Sequence, residues 1–128
     1  MDRREIGMRG ETVVAGYLES KGYRVAARNY HSRYGEIDII AESGEYILFC
    51  EVKTRAENSL GTPADAVDIR KQRKLIKTAF DYLMKNPCPL QPRFDVVEVI
   101  TYKSGDFSHY RINHLENAFM PEDSNGVF

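Results

Sequence analysis

The feature of this chain that most limits what it can fold into is a pair of short apolar runs, Gly35-Glu36-Ile37-Asp38-Ile39-Ile40 and Phe49-Cys50-Glu51-Val52-Lys53. Aliphatic and aromatic residues in short runs bounded by glycine and serine read as β-strands. Ser43-Gly44 between them is a hairpin signal, which sets the strands at 36–42 and 45–53. Inside these runs stand Asp38, Glu51 and Lys53. Carboxylates among core residues are costly unless a cation or an anionic substrate meets them there.

The remainder of the chain supplies elements to cover such a sheet. Residues 4–21 carry Gly10, Val13, Val14, Tyr17 and Leu18 at helical spacing, and Gly22 suits the left-handed position after a helix. Tyr23 to Asn29 reads as a strand and 31–35 as a loop. Residues 54–67 lack periodicity and read as a long loop, with a helical turn begun by Thr62-Pro63. Asp68 suits the N-cap of a helix running to Lys85, with Ile69, Ile76, Ala79, Phe80 and Leu83 facing inward. Asn86-Pro87-Cys88-Pro89 stops that helix. Phe94 to Thr101 reads as a fourth strand, Phe107 to Ile112 as a short edge strand, and His114 to Ala118 as a helical turn. The order α, β, β, β, α, β, β implies an α/β fold, a central mixed sheet flanked by helices. One domain over 1–119 and a flexible tail over 120–128 complete the expected organisation.

Net charge is −1, so a nucleic-acid partner must be drawn by a local patch rather than by overall basicity. Cys50 and Cys88 lack metal-type spacing, and free thiols suit a reducing cytosol. No run has transmembrane length and no signal-peptide pattern opens the chain, so a cytoplasmic protein with no membrane partner is expected. Gly-rich phosphate loops, nucleophile elbows and Cys/His zinc patterns are missing from the sequence, and no organic cofactor is expected.

Alternate residues of a strand share a face, so Glu51 and Lys53 point the same way. With Ser43-Gly44 as the turn, 42 pairs with 45, 38 with 49 and 36 with 51. Asp38 and Glu51 are then diagonal neighbours, roughly 7–8 Å apart at the backbone, and their carboxylates can converge on one ion. All-oxygen ligands favour Mg²⁺ or Mn²⁺, which can activate a water and stabilise charge on a phosphoryl oxygen. Lys53 can reach that water or the phosphate, and Glu11, at the margin of the first helix's apolar stripe, is a further candidate for the site. Read singly, each of these residues is better explained by an edge position or an ion pair; together, the strand–turn–strand setting and the Asp…Glu-x-Lys order point to a site. The second helix carries Arg70, Lys71, Arg73, Lys74 and Lys77, which reads either as a solvated face or as a phosphate-contacting surface that Arg24, Arg28, Arg33 and Arg55 would extend. Asp95 is expected to play a structural part, paired with Arg93 or with a basic residue of the helix, and His31 to lie at the surface.

Gly10-Glu11, Arg28-Asn29, Gly35-Glu36-Ile37-Asp38, Glu51-Val52-Lys53-Thr54-Arg55, Lys71 and Arg93-Phe94-Asp95 resemble the YraN family, small bacterial proteins similar to archaeal Holliday-junction resolvases. Both belong to the restriction-endonuclease-like superfamily with the PD-(D/E)XK motif. The resemblance spans roughly residues 4–119. It implies a mixed sheet flanked by helices, with Asp38 as the motif aspartate, Glu51 as second metal ligand and Lys53 as the catalytic lysine. Glu11 matches the extra acidic residue on the first helix of resolvases, and Ile37 stands where the superfamily motif has proline. The implied activity is Mg²⁺- or Mn²⁺-dependent DNA cleavage, with branched DNA such as Holliday junctions as substrate and a homodimer as the acting form. A non-catalytic nucleic-acid-binding module, or a subunit of a DNA-processing complex, is the alternative.

Overall fold

The computed structural model describes residues 1–59 and 67–121. Its elements run α1 (Arg3–Ser20), β1 (Arg24–Ser32), β2 (Gly35–Glu42), β3 (Tyr46–Ala56), α2 (Ile69–Lys85), β4 (Gln91–Thr101) and β5 (Tyr110–Phe119). The five strands form one sheet in sequence order. All neighbours are antiparallel except β3 and β4, which are parallel over their full length because the connection bearing α2 returns the chain to the same end.

Each helix covers one face, and the two faces hold separate cores. Val14, Ala15 and Leu18 of α1 pack on Ile39, Ala41, Leu48, Cys50, Val97 and Val99. Leu75, Ile76, Ala79 and Tyr82 of α2 pack on Ile37, Ile40, Ile47, Phe49, Phe94 and Val96. Asp2 caps α1 by accepting the Glu5 N–H, and Asp68 caps α2 by accepting the Lys71 N–H. Gly10 lets α1 approach β3 closely: a Cβ there would lie 1.9 Å from Thr54 Oγ1. This contact sets how near Glu11, the next residue, stands to the sheet.

Several expected elements differ. β1 continues to Ser32, so the expected loop at 31–35 shrinks to the Arg33-Tyr34 turn. β3 continues to Ala56, because Thr54, Arg55 and Ala56 pair with Val99, Ile100 and Thr101. The tail of β5 replaces the expected helical turn at His114–Ala118. The inward face of α2 is centred on Leu75, Ile76, Ala79 and Tyr82, while Ile69 and Phe80 remain 41% and 38% exposed. Thr78 is buried there because its hydroxyl meets Ser32 Oγ at 3.1 Å. The expected turn at Thr62-Pro63 and the tail from residue 122 lie outside the described residues. Among the described residues no helix is long and apolar enough to cross a membrane.

Candidate active site

The hairpin of β2 and β3 builds the site, and its register differs from expectation by two residues. Ser43 Oγ accepts the N–H of both Glu45 and Tyr46, which makes the connection three residues long rather than two. Glu42 therefore pairs with Ile47, Ile40 with Phe49 and Ile39 with Cys50. A two-residue shift keeps every side chain on its face, but it removes Glu36 from opposite Glu51 and brings Asp38 there instead. Glu36 pairs with His31 on β1 and lies exposed, 3.8 Å from that ring.

The β2–β3 ladder stops at Ile39 and Cys50. In place of the next rung the Asp38 carboxylate accepts the Val52 N–H at 2.8 Å. The strands fork at that point, and Asp38 and Glu51 face each other across the fork. Burial, then the hydrogen bond and charge of Glu51, push the Asp38 carboxyl up to about 9. Asp38 therefore favours its protonated form more than an ordinary carboxyl does.

Glu51 has a second neighbour. The Lys71 ammonium, carried in from the first turn of α2, stands 2.9 Å from Glu51 Oε2. Glu11 approaches from α1, and burial raises its carboxyl above the ordinary carboxylate range. Its Oε1 is buried without a hydrogen-bond partner, with the Arg28 guanidinium 4.0 Å away. Thr54 Oγ1 beside it is likewise buried and unpartnered. Glu11, Asp38, Glu51, Lys53 and Thr54 line one cleft of about 350 Å³. Among the described residues the Lys53 ammonium makes no ion pair, so it is available to that cleft.

These residues fit a hard divalent cation. The donors are all oxygens, two carboxylates already face each other, and an orphaned carboxylate oxygen sits at the edge. Among the described residues no three acidic, histidine or cysteine side chains converge at one point.

The basic residues divide. Arg55 is turned away to Glu98, a carboxylate with 2% of its side chain exposed, at 2.6 Å. Arg28 lies beside Glu11 and donates to Thr12 Oγ1 at 3.1 Å. Lys71 and Lys74 line a second cleft of about 210 Å³ that opens on Asp38 and Glu51 from the α2 side. Arg70 and Arg73 sit on the same first turns of α2. Gln72 donates to the Val67 carbonyl and so anchors the start of the helix. Sequence reasoning missed Tyr17–His114–Asp95: the His114 ring lies 2.9 Å from Tyr17 Oη and 2.7 Å from Asp95. Burial works to raise the Asp95 carboxyl, but hydrogen bonds from His114, Arg93 and the Asn117 N–H hold it below its ordinary value. The Arg93–Asp95 pair, at 2.9 Å, is as expected.

A mixed five-stranded sheet between two helices has the α/β architecture of a restriction-endonuclease-like fold. Comparison places it more narrowly. The profile of the uncharacterised protein family UPF0102 matches residues 10–99, and the chain belongs to this family, the YraN-like proteins. It is 43% identical over 119 residues to a UPF0102 protein of Alkaliphilus oremlandii, covering 91% of this chain and 98% of that one. It is 42% identical over 120 residues to one of Clostridioides difficile, covering 93% and 100%. A third, from Chlorobium chlorochromatii, is 40% identical over 120 residues, covering 92% and 93%.

Proposed function

We propose that the protein is a Mg²⁺- or Mn²⁺-dependent endonuclease that hydrolyses phosphodiester bonds in DNA, branched DNA such as Holliday junctions included. The observation that carries this reading is the fork between β2 and β3, where Asp38 faces Glu51 with Lys53 on the same strand. Two carboxylates that face each other in a partly buried cleft are costly to ionise together, and a bound cation offsets that cost. Asp38 and Glu51 would hold the ion and Glu11 would complete or orient its shell. The ion, when bound, supplies a Lewis acid and lowers the pKa of a water. Lys53 positions that water or stabilises the negative charge that grows on the phosphoryl oxygens. Lys74, which lines the second cleft, and Arg70 and Arg73 on the same helix would take the flanking phosphates.

The test is cleavage of labelled linear duplex, single strand, flap and four-way junction with Mg²⁺, Mn²⁺ or EDTA, with Lys53→Ala alongside. Cleavage that needs the metal and falls roughly a hundredfold or more in Lys53→Ala supports the reading. Cleavage that survives EDTA or the substitution overturns it.

Lys71 gives a second expectation. Its ammonium sits on Glu51 and so competes with any cation entering the site. Lys71→Met is expected to bind Mn²⁺ about tenfold more tightly, the size of a one-unit change in carboxylate affinity for a cation. Calorimetric titration of Mn²⁺ into both proteins checks it. Equal or weaker affinity in Lys71→Met would show that the ammonium assists the ion rather than standing in for it.

A further inference from the structure

The second cleft does not end at Lys74. Gly35 lines it together with Asp38, Glu51 and Lys71. The residue before Gly35 is Tyr34, at the tip of the β1–β2 hairpin. This tip is fixed rather than loose. Ser32 Oγ meets Thr78 Oγ1 at 3.1 Å and accepts the Tyr34 N–H at 3.0 Å. Tyr30 donates to Asp81 at 2.5 Å, and a Cβ on Gly35 would lie 3.6 Å from Lys74 and from Thr78. Hairpin tip and helix α2 thus form one surface.

On that surface a half-buried aromatic ring is surrounded by cations. The Arg33 guanidinium lies 4.9 Å from the Tyr34 ring centroid and the Lys77 ammonium 5.8 Å. Arg33 also donates to Tyr34 Oη at 2.8 Å. Arg33, Lys74 and Lys77 are exposed. The two cations near the ring hold it in place through contacts that a nucleobase and its phosphates can replace in kind: a π-face for the ring, anionic oxygens for the charges. A strand leaving Asp38 and Glu51 by the second cleft passes Lys71 and Lys74 and then meets this ring. Asp38 follows Tyr34 by four steps along the chain, about 13 Å in extended strand.

We infer that Tyr34 is a stacking platform for an unpaired nucleobase, with Arg33, Lys74 and Lys77 taking the flanking phosphates, so that the strand on this side of the site is single. An aromatic face can stack only on a base whose own face is free. In continuous duplex both faces of each base are covered by its neighbours, and a lone tyrosine at a hairpin tip gains nothing there. The inference rests on the nucleic-acid reading of the site but not on hydrolysis.

The experiment is fluorescence anisotropy in EDTA, with a labelled single strand of about 15 nucleotides, within the site size of one small domain, and a duplex of the same length. Tyr34→Ala, Tyr34→Leu, Tyr34→Phe and Lys77→Gln are compared with the unchanged protein, and circular dichroism confirms each fold. Single-strand affinity should fall roughly tenfold or more in Tyr34→Ala and Tyr34→Leu, hold within about twofold in Tyr34→Phe, and leave duplex affinity unchanged. Lys77→Gln should weaken both ligands and reduce the salt dependence of each. Equal losses for single strand and duplex, an unchanged Tyr34→Ala, or no single-strand binding by the unchanged protein overturns the platform. Because metal is absent throughout, a Tyr34-dependent affinity without any cleavage in Mg²⁺ would retain the platform while removing the nuclease reading.

Discussion

Asp38→Asn is expected to yield a protein that is more stable and no longer cleaves. Asparagine is nearly the shape of the protonated aspartic acid that the fork holds. Its carbonyl oxygen can keep the Val52 N–H, and its amide can donate to Glu51. What it removes is the proton demand. The Asp38 carboxyl sits at about 9 in the fold against an ordinary 3.8, so the folded protein binds a proton that the unfolded chain has released. Stability therefore falls as pH rises from about 4 towards about 9, with Asp38 as the cause, and is recovered below that window. Asparagine has no such slope. At pH 8 and without metal, Asp38→Asn should be about 2–4 kcal/mol more stable, on the order of 10 °C in Tm, and at pH 4 the difference should vanish. Thermal melts across that pH range in EDTA check it. Equal Tm values at pH 8 would show that Asp38 ionises without strain and is not poised for a cation. In the cleavage assay the same variant should lose roughly a thousandfold in rate, the several kcal/mol that a ligand of the metal contributes to the transition state.

Gly10→Ala is expected to be the most damaging small substitution outside the core. The added methyl would meet Thr54 Oγ1 at 1.9 Å and Thr54 Cβ at 3.2 Å. Thr54 cannot retreat, because it belongs to β3 at the middle of the sheet and is paired with Val99. The helix must move instead, and α1 lifts from the sheet with Val14 and Leu18 attached. Overpacking of this kind costs about 3 kcal/mol. It also draws Glu11 away from Asp38 and Glu51, so Mn²⁺ affinity should fall with stability. Thr54→Ala removes the obstructing hydroxyl, itself buried without a partner, and should be nearly neutral alone. Gly10→Ala with Thr54→Ala should recover most of the loss in denaturant melts. Additive losses in the double variant would mean that the clash is not what excludes a side chain at position 10.

Much of this was legible in the sequence, for reasons that can be named. The strands β2, β3 and β4 are buried and rich in isoleucine, valine and phenylalanine, so their composition announces them. The site followed from them, since Asp38, Glu51 and Lys53 are local to two strands and only a turn separates them. The register did not follow, because Ser43 accepts two backbone N–H groups and lengthens a turn that Ser-Gly suggests is tight. β5 was hidden for another reason. It is an edge strand whose His114, Asn113, Glu116 and Asn117 suit a turn as well as a ladder, and Asn117 has φ 52°. In α2 the choice of Ile69 and Phe80 over Leu75 and Tyr82 shifted the stripe by part of a turn. The helix is buried over the β1–β2 side, where Thr78 and Tyr82 meet Ser32 and Tyr30. His114 found its partners at sequence distances of 19 and 97 residues, which no local pattern encodes.

The parallel pairing of β3 with β4 bears on when the site comes into being. Every rung from Tyr46↔Gln91 to Ala56↔Thr101 joins residues 45 apart, whereas the β1–β2 and β2–β3 hairpins close locally. Pairing at such separation is slow compared with hairpin formation. On a ribosome adding about 5–20 residues per second, Asp38, Glu51 and Lys53 emerge well before the strand that flanks β3, and Lys71 arrives on a helix with half a sheet to rest on. Until β4 docks, the hairpin of β2 and β3 keeps one open edge along β3. Docking of β4 gives β3 its second neighbour, and the loop after β4 brings Ser104 to the cleft. The chain thus carries its acidic cleft through synthesis in an unassembled state and completes it only when the final third of the polypeptide is in place.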